Sequence, residues 1–297
     1  MRLAITGAAG FVGRAVVRHL TAHHPEVELL LTDREPDGFD GHETLTGDLT
    51  DPAVIDALTS PHIDAVLHLA ALPGGAAERD PAASRAINLD VPLALIEAMR
   101  GRRLVLAGSI AVYGGALTDP VKDTTVPTPT SVYGTHKRMV ELAFADAVRR
   151  GAVSGFAVRL PGIVARPAAA GGFGSAFLSD IFHAAKAGTA YRVPVAPDAT
   201  SWLMSVRCCA ANLVAAALVE RTAQEAVTLP ALRVTIGDLV AELARHGDVS
   251  GIRFEEIPAT RATFGSYPDL ATAHADALGF QHDGSLTELA ETVLADL

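Results

Sequence analysis

Short apolar segments alternate with longer amphipathic segments over the first 160 residues of the chain. The pattern predicts strands at 2–6, 27–32, 43–46, 64–69, 103–107 and 155–160, and helices at 12–23, 51–58, 81–99 and 131–149. Strands that alternate with helices form a parallel sheet covered by helices on both faces. The segments 64–69 and 103–107 are almost continuously apolar, as central strands should be. We therefore predict a doubly wound α/β fold.

Beyond residue 160 the alternation ends. Residues 161–175 are rich in Pro, Ala and Gly without a period, which favours a loop, and 114–130 is predicted as a surface loop because of its three prolines. Helical patterns return at 175–187, 207–220, 235–246 and 285–296, with a β-like run at 253–257. These pieces predict a smaller lobe on the carboxyl edge of the sheet, where such folds bind ligands.

Composition restricts the partners of the chain. Its 297 residues, 49% of them hydrophobic, can bury a large core. The net charge of −10 argues against binding to nucleic acid, which needs clustered Lys and Arg. The most apolar stretch, 210–219, is about half the length that crosses a bilayer, so no membrane span is expected. Cys208 and Cys209 are adjacent, and neighbouring cysteines seldom form a structural disulfide, which fits a reducing cytoplasm.

A glycine-rich turn connects the first predicted strand to the first predicted helix. Its glycines allow a tight turn and a close approach of the backbone, so a pyrophosphate can sit on the helix N-terminus. Three glycines alone are weak evidence, but here a strand precedes them, a helix follows, and an acid ends the next strand. The dinucleotide-binding residues predicted in this turn are Gly7, Ala9, Gly10, Phe11, Val12 and Gly13.

Asp33, 20 residues beyond Gly13, ends the second predicted strand. A carboxylate there accepts hydrogen bonds from the adenosine ribose and repels a 2′-phosphate, which favours NAD over NADP. The neighbouring Arg34 could instead pair with a phosphate, and a plain turn role for Asp33 stays open.

Two further segments at strand ends are candidate cofactor contacts. Asp48, with Leu49, follows the third strand, where its carboxylate can reach the adenine amino group. Alternatively, Asp48 or Thr50 could cap the following helix. The fourth strand ends in small residues, as a backbone beside a cofactor requires, and the residues concerned are Leu69, Ala70 and Ala71.

Tyr133 and Lys137 are four residues apart in a predicted helix, so they lie on one face about one turn apart. An ammonium group near a phenol favours the phenolate, which can then act as a base near neutral pH. Ser109 follows a buried strand, so its hydroxyl would emerge at the carboxyl end of the sheet and could hydrogen-bond a reacting oxygen. We predict that these three residues are catalytic.

In chain order these motifs resemble one superfamily. Four motifs are similar to those of the extended short-chain dehydrogenases/reductases, the NAD-dependent epimerases and dehydratases. They are Thr-Gly-x-x-Gly-x-x-Gly at 6–13, His-Leu-Ala-Ala at 68–71, Ser109 with the following Val-Tyr-Gly, and Tyr-x-x-x-Lys at 133–137. The likeness covers residues 2 to 167. It implies an NAD-binding Rossmann domain at 1–160 and a mainly substrate-binding lobe at 161–297, with some elements returning to the Rossmann domain.

The resemblance also implies roles for single residues. Tyr133 would be the general base, Lys137 would assist it and bind the nicotinamide ribose, and Ser109 would orient the substrate hydroxyl. Asn88 matches the family's asparagine on the helix after the fourth strand, where it has a supporting role. Pro161 matches a position beside the nicotinamide. The chemistry requires no metal.

The second half of the chain indicates the substrate. Nucleotide-sugar members have an Arg-x-Phe/Trp-x-x-Val-x-Asp-type segment, and residues 200–207 lack both its leading arginine and its aspartates. Together with 159–167, 172–179 and 277–280, this segment resembles the D-erythronate dehydrogenase branch. Those enzymes oxidise a small sugar acid at its 2-hydroxyl with NAD and give a 2-oxo acid.

A small carboxylate substrate needs a cation or several hydrogen-bond donors near Ser109 and Tyr133. Besides these two, the candidate substrate-binding residues are Arg166, Ser175, Trp202 and Arg207. Each has a plain alternative, because the arginines could form ion pairs, the serine could cap a helix and the tryptophan could fill the core.

Three other functions remain open at this point. A nucleotide-sugar epimerase or dehydratase would use the same three catalytic residues with retained NAD, and a uronate dehydrogenase is a closer variant. A non-catalytic nucleotide-sensing protein would keep the fold without the reaction. The helices at 81–99 and 131–149 correspond to those that form a four-helix interface in the family, so a homodimer is expected.

Overall fold

The computed structural model describes residues 1–167 and 174–297, so residues 168–173 of the predicted 161–175 loop, including the start of the 172–179 segment, lie outside the described residues. The strands are β1 Arg2–Thr6, β2 Glu28–Asp33, β3 Glu43–Thr46, β4 Ala65–His68, β5 Arg103–Ser109, β6 Val121–Lys122, β7 Ser154–Leu160, β8 Gly162–Val164, β9 Tyr191–Val193, β10 Thr200–Ser205, β11 Val227–Thr228, β12 Leu232–Thr235, β13 Ile252–Phe254 and β14 Leu270–Ala271.

The α-helices are α1 Phe11–His23, α2 Pro52–Leu58, α3 Gly74–Arg79, α4 Pro81–Arg85, α5 Val91–Ala98, α6 Val132–Arg149, α7 Phe177–Ala187, α8 Val206–Leu218, α9 Ile236–Leu243, α10 Pro258–Phe264, α11 Ala273–Leu278 and α12 Leu286–Asp296. A π-helical turn, Ala86–Asp90, precedes α5, and a 3₁₀ turn, Ile110–Val112, follows β5. In the described parts of the chain, no helix has both the length and the apolar character needed to cross a bilayer.

The main sheet has seven parallel strands in the order β11-β7-β5-β4-β1-β2-β3. On one side of the sheet β1 is followed by β2 and β3, and on the other side β4 is followed by β5, β7 and β11. The strand order therefore reverses between β1 and β4, which is the topological switch point. Ligands of doubly wound folds bind there, outside the carboxyl ends of the strands. One face of the sheet packs against α2, α5 and α6 through an apolar cluster that includes Leu58, Leu95 and Phe144. The predicted doubly wound α/β fold is confirmed.

The chain divides into two compact units. The first comprises Met1–Tyr113, Pro127–Leu160 and Ala210–Thr228, and it contains the seven-stranded sheet. The second comprises Gly114–Val126, Pro161–Cys209 and Leu229–Leu297. It contains a three-stranded sheet in the order β12-β10-β8 and the strand pairs β13-β9 and β14-β6, and its apolar core is formed mainly by α7, α9 and α12 with these strands.

The predicted helix 81–99 is divided in the structure into α4, the π-helical turn and α5. Pro92 lies in the first turn of α5. A proline has no N–H to donate, and its ring clashes with the carbonyl four residues earlier, so the wider π-helical turn accommodates it.

Two predicted loops contain strands. β6 lies in the predicted loop 114–130 and pairs with β14, while β8 lies in 161–175 and pairs with β10. These short strands are stabilised by partners distant in sequence, so the local pattern does not indicate them. The β-like run predicted at 253–257 is a strand only at Ile252–Phe254.

Arg102 joins the ends of two helices in the first unit. Its guanidinium donates to four backbone carbonyls at 2.7–3.1 Å, which belong to Thr59, Ser60, Ile63 and Ala98. Thr59 is the C-cap of α2 and Ala98 is the last residue of α5. Carbonyls at the end of a helix have no partner inside it, so one cation satisfies several of them.

Arg102→Met is expected to lower the free energy of unfolding by about 2–3 kcal/mol, because a charged donor to four partly buried carbonyls is lost. Arg100→Met is the matched control, since Arg100 makes an exposed ion pair with Glu97 and its loss should cost less than about 1 kcal/mol. Urea unfolding followed by circular dichroism measures both. Equal losses for the two variants would contradict the role given to Arg102.

Candidate active site

The glycine-rich turn presents bare backbone at the start of α1. Gly10 is the N-cap and offers no side-chain bond to the first-turn N–H groups, which have no partner within the helix. A Cβ on Gly13 would overlap the carbonyl oxygens of Gly7 and Ala8, so only glycine permits this packing. N–H donors at the positive end of a helix dipole suit a pyrophosphate. The same turn and helix start contain Ala9, Phe11 and Val12.

Asp33 lies directly beside this turn, at the end of β2. One carboxylate oxygen accepts the N–H of Ala9 at 2.9 Å, and the other accepts the N–H of Arg34 at 2.8 Å. Each oxygen keeps a lone pair for a further donor. Asp33 therefore holds the turn in place and still presents acceptors where the ribose of a dinucleotide is expected.

Asp48 closes a short turn after β3. Its Oδ1 accepts the N–H and the hydroxyl of Thr50 at 2.9 and 2.8 Å, and these bonds lower the pKa of Asp48. The cap of α2 is Asp51, whose carboxylate accepts the N–H of Ala53 at 2.9 Å. The alternative that Asp48 or Thr50 caps this helix is therefore wrong. An adenine contact by Asp48 and Leu49 stays a prediction.

A buried hydroxyl holds the backbone that follows β4. Thr6 Oγ1 accepts the N–H groups of Leu69 at 3.2 Å and Ala70 at 3.4 Å, and it lies 2.7 Å from Nδ1 of His68. The hydroxyl and the imidazole therefore share one buried hydrogen bond. Burial, with the charge of Lys137, lowers the pKa of His68 to about 3, so the ring is neutral.

Asn88 supports the same segment from the π-helical turn. Its side chain is fully buried, accepts the N–H of Leu72 at 2.9 Å and donates to the carbonyl of Leu72 at 2.9 Å and to Ser84 Oγ at 3.0 Å. It thereby fixes the peptide just after Ala71. These are the contacts of a supporting residue, and direct contact with a cofactor stays a prediction.

Tyr133 is the second residue of α6, and the start of this helix is capped twice. Ser131 Oγ accepts the N–H of Gly134 at 3.0 Å, and Glu78 accepts the N–H of Val132 at 2.6 Å. Both bonds satisfy N–H groups that have no partner within the helix. The half-buried phenol of Tyr133 is thus attached to a well-anchored helix start.

Lys137 lies one turn further along α6 and is 4% exposed. Its Nζ donates to the carbonyl of Ala107 at 2.8 Å and lies 5.6 Å from the centre of the Tyr133 ring. Burial lowers the pKa of Lys137 to about 8, against the opposing effect of the Glu141 carboxylate. At neutral pH the group is therefore mainly an ammonium ion next to the phenol, where it favours the phenolate.

Ser109 is the last residue of β5. Its Oγ accepts the N–H of Ala111 at 3.1 Å and so caps the 3₁₀ turn, which leaves the hydroxyl hydrogen to be donated to another oxygen. A Cβ on Gly134 would overlap the carbonyl oxygen of Ala111. The absence of a side chain at Gly134 therefore allows α6 to pack on the turn after Ser109. Gly134 was not predicted from the sequence, although a glycine directly after the candidate base Tyr133 indicates a close approach of another backbone.

The structure brings two of the predicted substrate-binding residues together in the second unit. Arg166 Nη2 donates to Ser175 Oγ at 3.1 Å. The Arg166 backbone is held on both sides, because its N–H donates to Ser179 Oγ at 3.0 Å and its carbonyl accepts from His183 Nε2 at 2.7 Å. Pro161, the first residue of this unit's second segment, directly follows β7.

Trp202 and Arg207 bind other residues of the second unit. Trp202 is fully buried and its indole N–H donates to the carbonyl of Pro268 at 2.7 Å. Arg207 forms an ion pair with Asp296, with 2.9 Å between Nε and either carboxylate oxygen. For both residues a substrate contact stays a prediction.

Comparison with known proteins decides the family. The model of the NAD dependent epimerase/dehydratase family matches residues 3–225, which include the glycine-rich turn, Ser109, Tyr133 and Lys137. The chain belongs to the NAD dependent epimerase/dehydratase family. Its membership, predicted above from the ordered motifs, is confirmed, and so is its nature as an NAD-dependent enzyme.

Several members of this family are similar to the chain over its whole length. D-erythronate dehydrogenase of Cupriavidus necator is 35% identical, with 100% of this chain and 98% of that protein covered. D-erythronate dehydrogenase of Haemophilus influenzae is 30% identical, with 96% of each covered. Among solved structures, the nucleoside-diphosphate-sugar epimerase from Agrobacterium tumefaciens has a TM-score of 0.89 at 30% identity, covering 100% of this chain and 94% of that one.

The residues present in the first unit fit the NAD that the family requires. The N–H groups at the start of α1, which Gly10 leaves without a side-chain cap, fit a pyrophosphate, and the carboxylate of Asp33 fits the hydroxyls of the adenosine ribose. Two arginines lie beside these groups: Arg14, whose Nε donates to the carbonyl of Ala9 at 2.9 Å, and Arg34, whose N–H donates to Asp33.

Asp33→Asn is expected to raise the ratio of kcat/KM for NADP over NAD by about tenfold, because it removes the charge that repels a 2′-phosphate. Asp40→Asn is the matched control, since it makes the same charge change at an exposed position of the following loop. Initial rates with the two cofactors measure the ratio. A change of equal size in both variants would show that net charge, and not the position of Asp33, determines cofactor choice.

Proposed function

We propose that this protein oxidises the 2-hydroxyl of a small sugar acid of the D-erythronate type, with NAD as the acceptor, to give the 2-oxo acid. The observation that carries this proposal is its full-length similarity to two D-erythronate dehydrogenases, at 35% and 30% identity. The arrangement of Ser109, Tyr133 and Lys137 in the first unit supports it.

Each of the three residues has a proposed task in the reaction. Ser109 donates its hydroxyl hydrogen to the substrate oxygen, because its own oxygen already accepts the N–H of Ala111. The Tyr133 phenolate takes the proton of the substrate hydroxyl, and the buried ammonium of Lys137 stabilises that phenolate. The NAD of this family would supply the hydride acceptor for the carbon that carries this hydroxyl. One O–H and one C–H bond break, and a carbonyl forms.

We propose that the second unit is mainly a substrate-binding lobe. Arg166 and Ser175 are the preferred contacts, because a guanidinium and a hydroxyl that lie 3.1 Å apart can bind one carboxylate together. Trp202 and Arg207 are less favoured, since the Trp202 indole N–H is bonded to Pro268 and Arg207 is paired with Asp296.

The protein is further proposed to be a homodimer that uses the helical segment 81–99 and α6. On α6, Met139 and Leu142 are large apolar residues with 46% and 55% of their surface exposed, three residues apart on one face of the helix. Sedimentation equilibrium tests this, and a Leu142→Glu variant should be monomeric.

The proposed reaction is tested by measuring NAD reduction with D-erythronate, other sugar acids, uronates and nucleotide sugars. We expect the highest kcat/KM with a four-carbon sugar acid. Turnover confined to uronates would identify the protein as a uronate dehydrogenase. Turnover confined to nucleotide sugars would refute the sugar-acid proposal. NADH binding without any turnover would indicate a nucleotide-sensing protein.

A further inference from the structure

A buried ion pair connects helix α6 to the main sheet. Glu141, on α6, is 3% exposed, and Arg159, on β7, is 4% exposed. The guanidinium binds both carboxylate oxygens, with Nε–Oε1 and Nη2–Oε2 distances of 2.8 Å each. Glu141 is one helical turn beyond Lys137, which is itself one turn beyond Tyr133, so the pair fixes the helix that carries both.

The same guanidinium reaches the turn that follows Ser109. Arg159 Nη1 donates to the hydroxyl of Tyr113 at 2.8 Å. Since this hydroxyl accepts from Arg159, its hydrogen can be donated to Thr228 Oγ1, 3.0 Å away on β11. Tyr113 ends the 3₁₀ turn, and its N–H donates to the carbonyl of Ile110 at 2.9 Å. One side chain therefore binds both the helix and the turn.

The carboxylate of Glu141 favours the charged form of Arg159. Burial would lower the pKa of Arg159, but the Glu141 carboxylate outweighs this and the pKa is raised. Glu141 also accepts from Arg138 at 3.0 Å, and its charge opposes the effect of burial on Lys137. A planar guanidinium can bind a carboxylate through two nitrogens and a hydroxyl through another, which a lysine cannot do.

We propose that Arg159 is a positioning residue that clamps the turn after Ser109 to helix α6 and so sets the spacing between Ser109 and Tyr133. This rests on the proposed function, because that spacing matters for the reaction assigned to these groups. A displacement of about 1 Å between reacting groups can lower a rate about 100-fold. A pair that only stabilised the fold would leave the turnover of the folded protein unchanged.

Tyr113→Phe tests the clamp, because it removes only the hydroxyl that Arg159 binds in the turn and leaves the Glu141 pair intact. We expect kcat to fall about 10- to 100-fold with unchanged affinity for NADH. The deuterium isotope effect on kcat, measured with substrate deuterated at the reacting carbon, should increase because the chemical step becomes slower. Amide hydrogen exchange in residues 109–113 should become faster.

Tyr191→Phe is the matched control, because it removes a tyrosine hydroxyl that donates to Asp180 at 3.1 Å in the second unit. It should leave kcat, the isotope effect and exchange in residues 109–113 as in the wild type. If Tyr113→Phe is not obtained folded, Thr228→Val removes the other hydroxyl bound to Tyr113 and should produce smaller changes in the same direction.

The outcomes separate this inference from the proposed function. Wild-type kcat and isotope effect in the folded Tyr113→Phe protein, or wild-type exchange in residues 109–113, would overturn the clamp, whatever the melting temperature. A wild-type protein that oxidises no sugar acid would refute the proposed function instead, and hydrogen exchange would still decide whether Arg159 holds the turn.

Discussion

Tyr133→Phe is expected to lower kcat by about 1000-fold, because positioned acid–base groups contribute effects of this order. The variant keeps the aromatic ring beside Lys137 and the capped start of α6, and it loses only the hydroxyl that takes the substrate proton. The affinity for NADH should be unchanged. NADH formation and fluorescence titration with NADH measure the two quantities.

The control for this variant is again Tyr191→Phe, which makes the same chemical change outside the proposed catalytic group. Its kcat should match the wild type. A Tyr133→Phe protein that binds NADH and turns over at the wild-type rate would show that another group is the base.

Gly134→Ala is expected to lower kcat by about 100-fold, because a Cβ at this position overlaps the carbonyl oxygen of Ala111 and displaces α6 from the turn after Ser109. Alanine favours a helix over glycine, so the intrinsic stability of α6 should increase. Loss of activity would then come from altered packing and not from a weaker helix. Steady-state kinetics and NADH titration measure the effect.

Thr135→Ala is the matched control, since it introduces the same side chain at the next, exposed position of α6. It should retain wild-type kcat. Full activity in Gly134→Ala would mean that the turn and the helix tolerate separation, and would contradict the account of how Ser109 and Tyr133 are held together.

The candidate cofactor-binding and catalytic residues can be proposed from the sequence because their signals are local. The glycine-rich turn needs only one strand and one helix around it, and Tyr133 and Lys137 are adjacent on a single helix. The alternation of strands with helices predicted a parallel sheet, but it did not predict the order of the strands or the edge strand β11.

The contacts that hold these residues in place were not predictable, because they join distant parts of the chain. Arg159 lies 18 residues from Glu141 and 46 from Tyr113, and no periodic pattern links the three. In the sequence Tyr113 is only part of the Val-Tyr-Gly that follows Ser109, yet its hydroxyl accepts a hydrogen bond from the buried guanidinium of Arg159.

The second unit was harder to predict for the same physical reason. β10 is buried along its whole length, but its mixture of threonine, serine and apolar residues gives no clear strand pattern. The indole N–H of Trp202 and the guanidinium of Arg207 looked available for a substrate, whereas their partners lie 66 and 89 residues away. Hydrogen-bond donors can be counted from the sequence, but their partners depend on tertiary structure.

The transfer of hydrogen from C2 of a sugar acid is tested most directly with D-erythronate that carries deuterium at C2. The purified protein is incubated with this substrate and NAD, and the reduced nicotinamide is analysed by mass spectrometry. We predict one deuterium in each reduced nicotinamide, together with a 2-oxo acid product. Reduced nicotinamide without deuterium, or no reduction by D-erythronate while a nucleotide sugar is converted, would contradict the account.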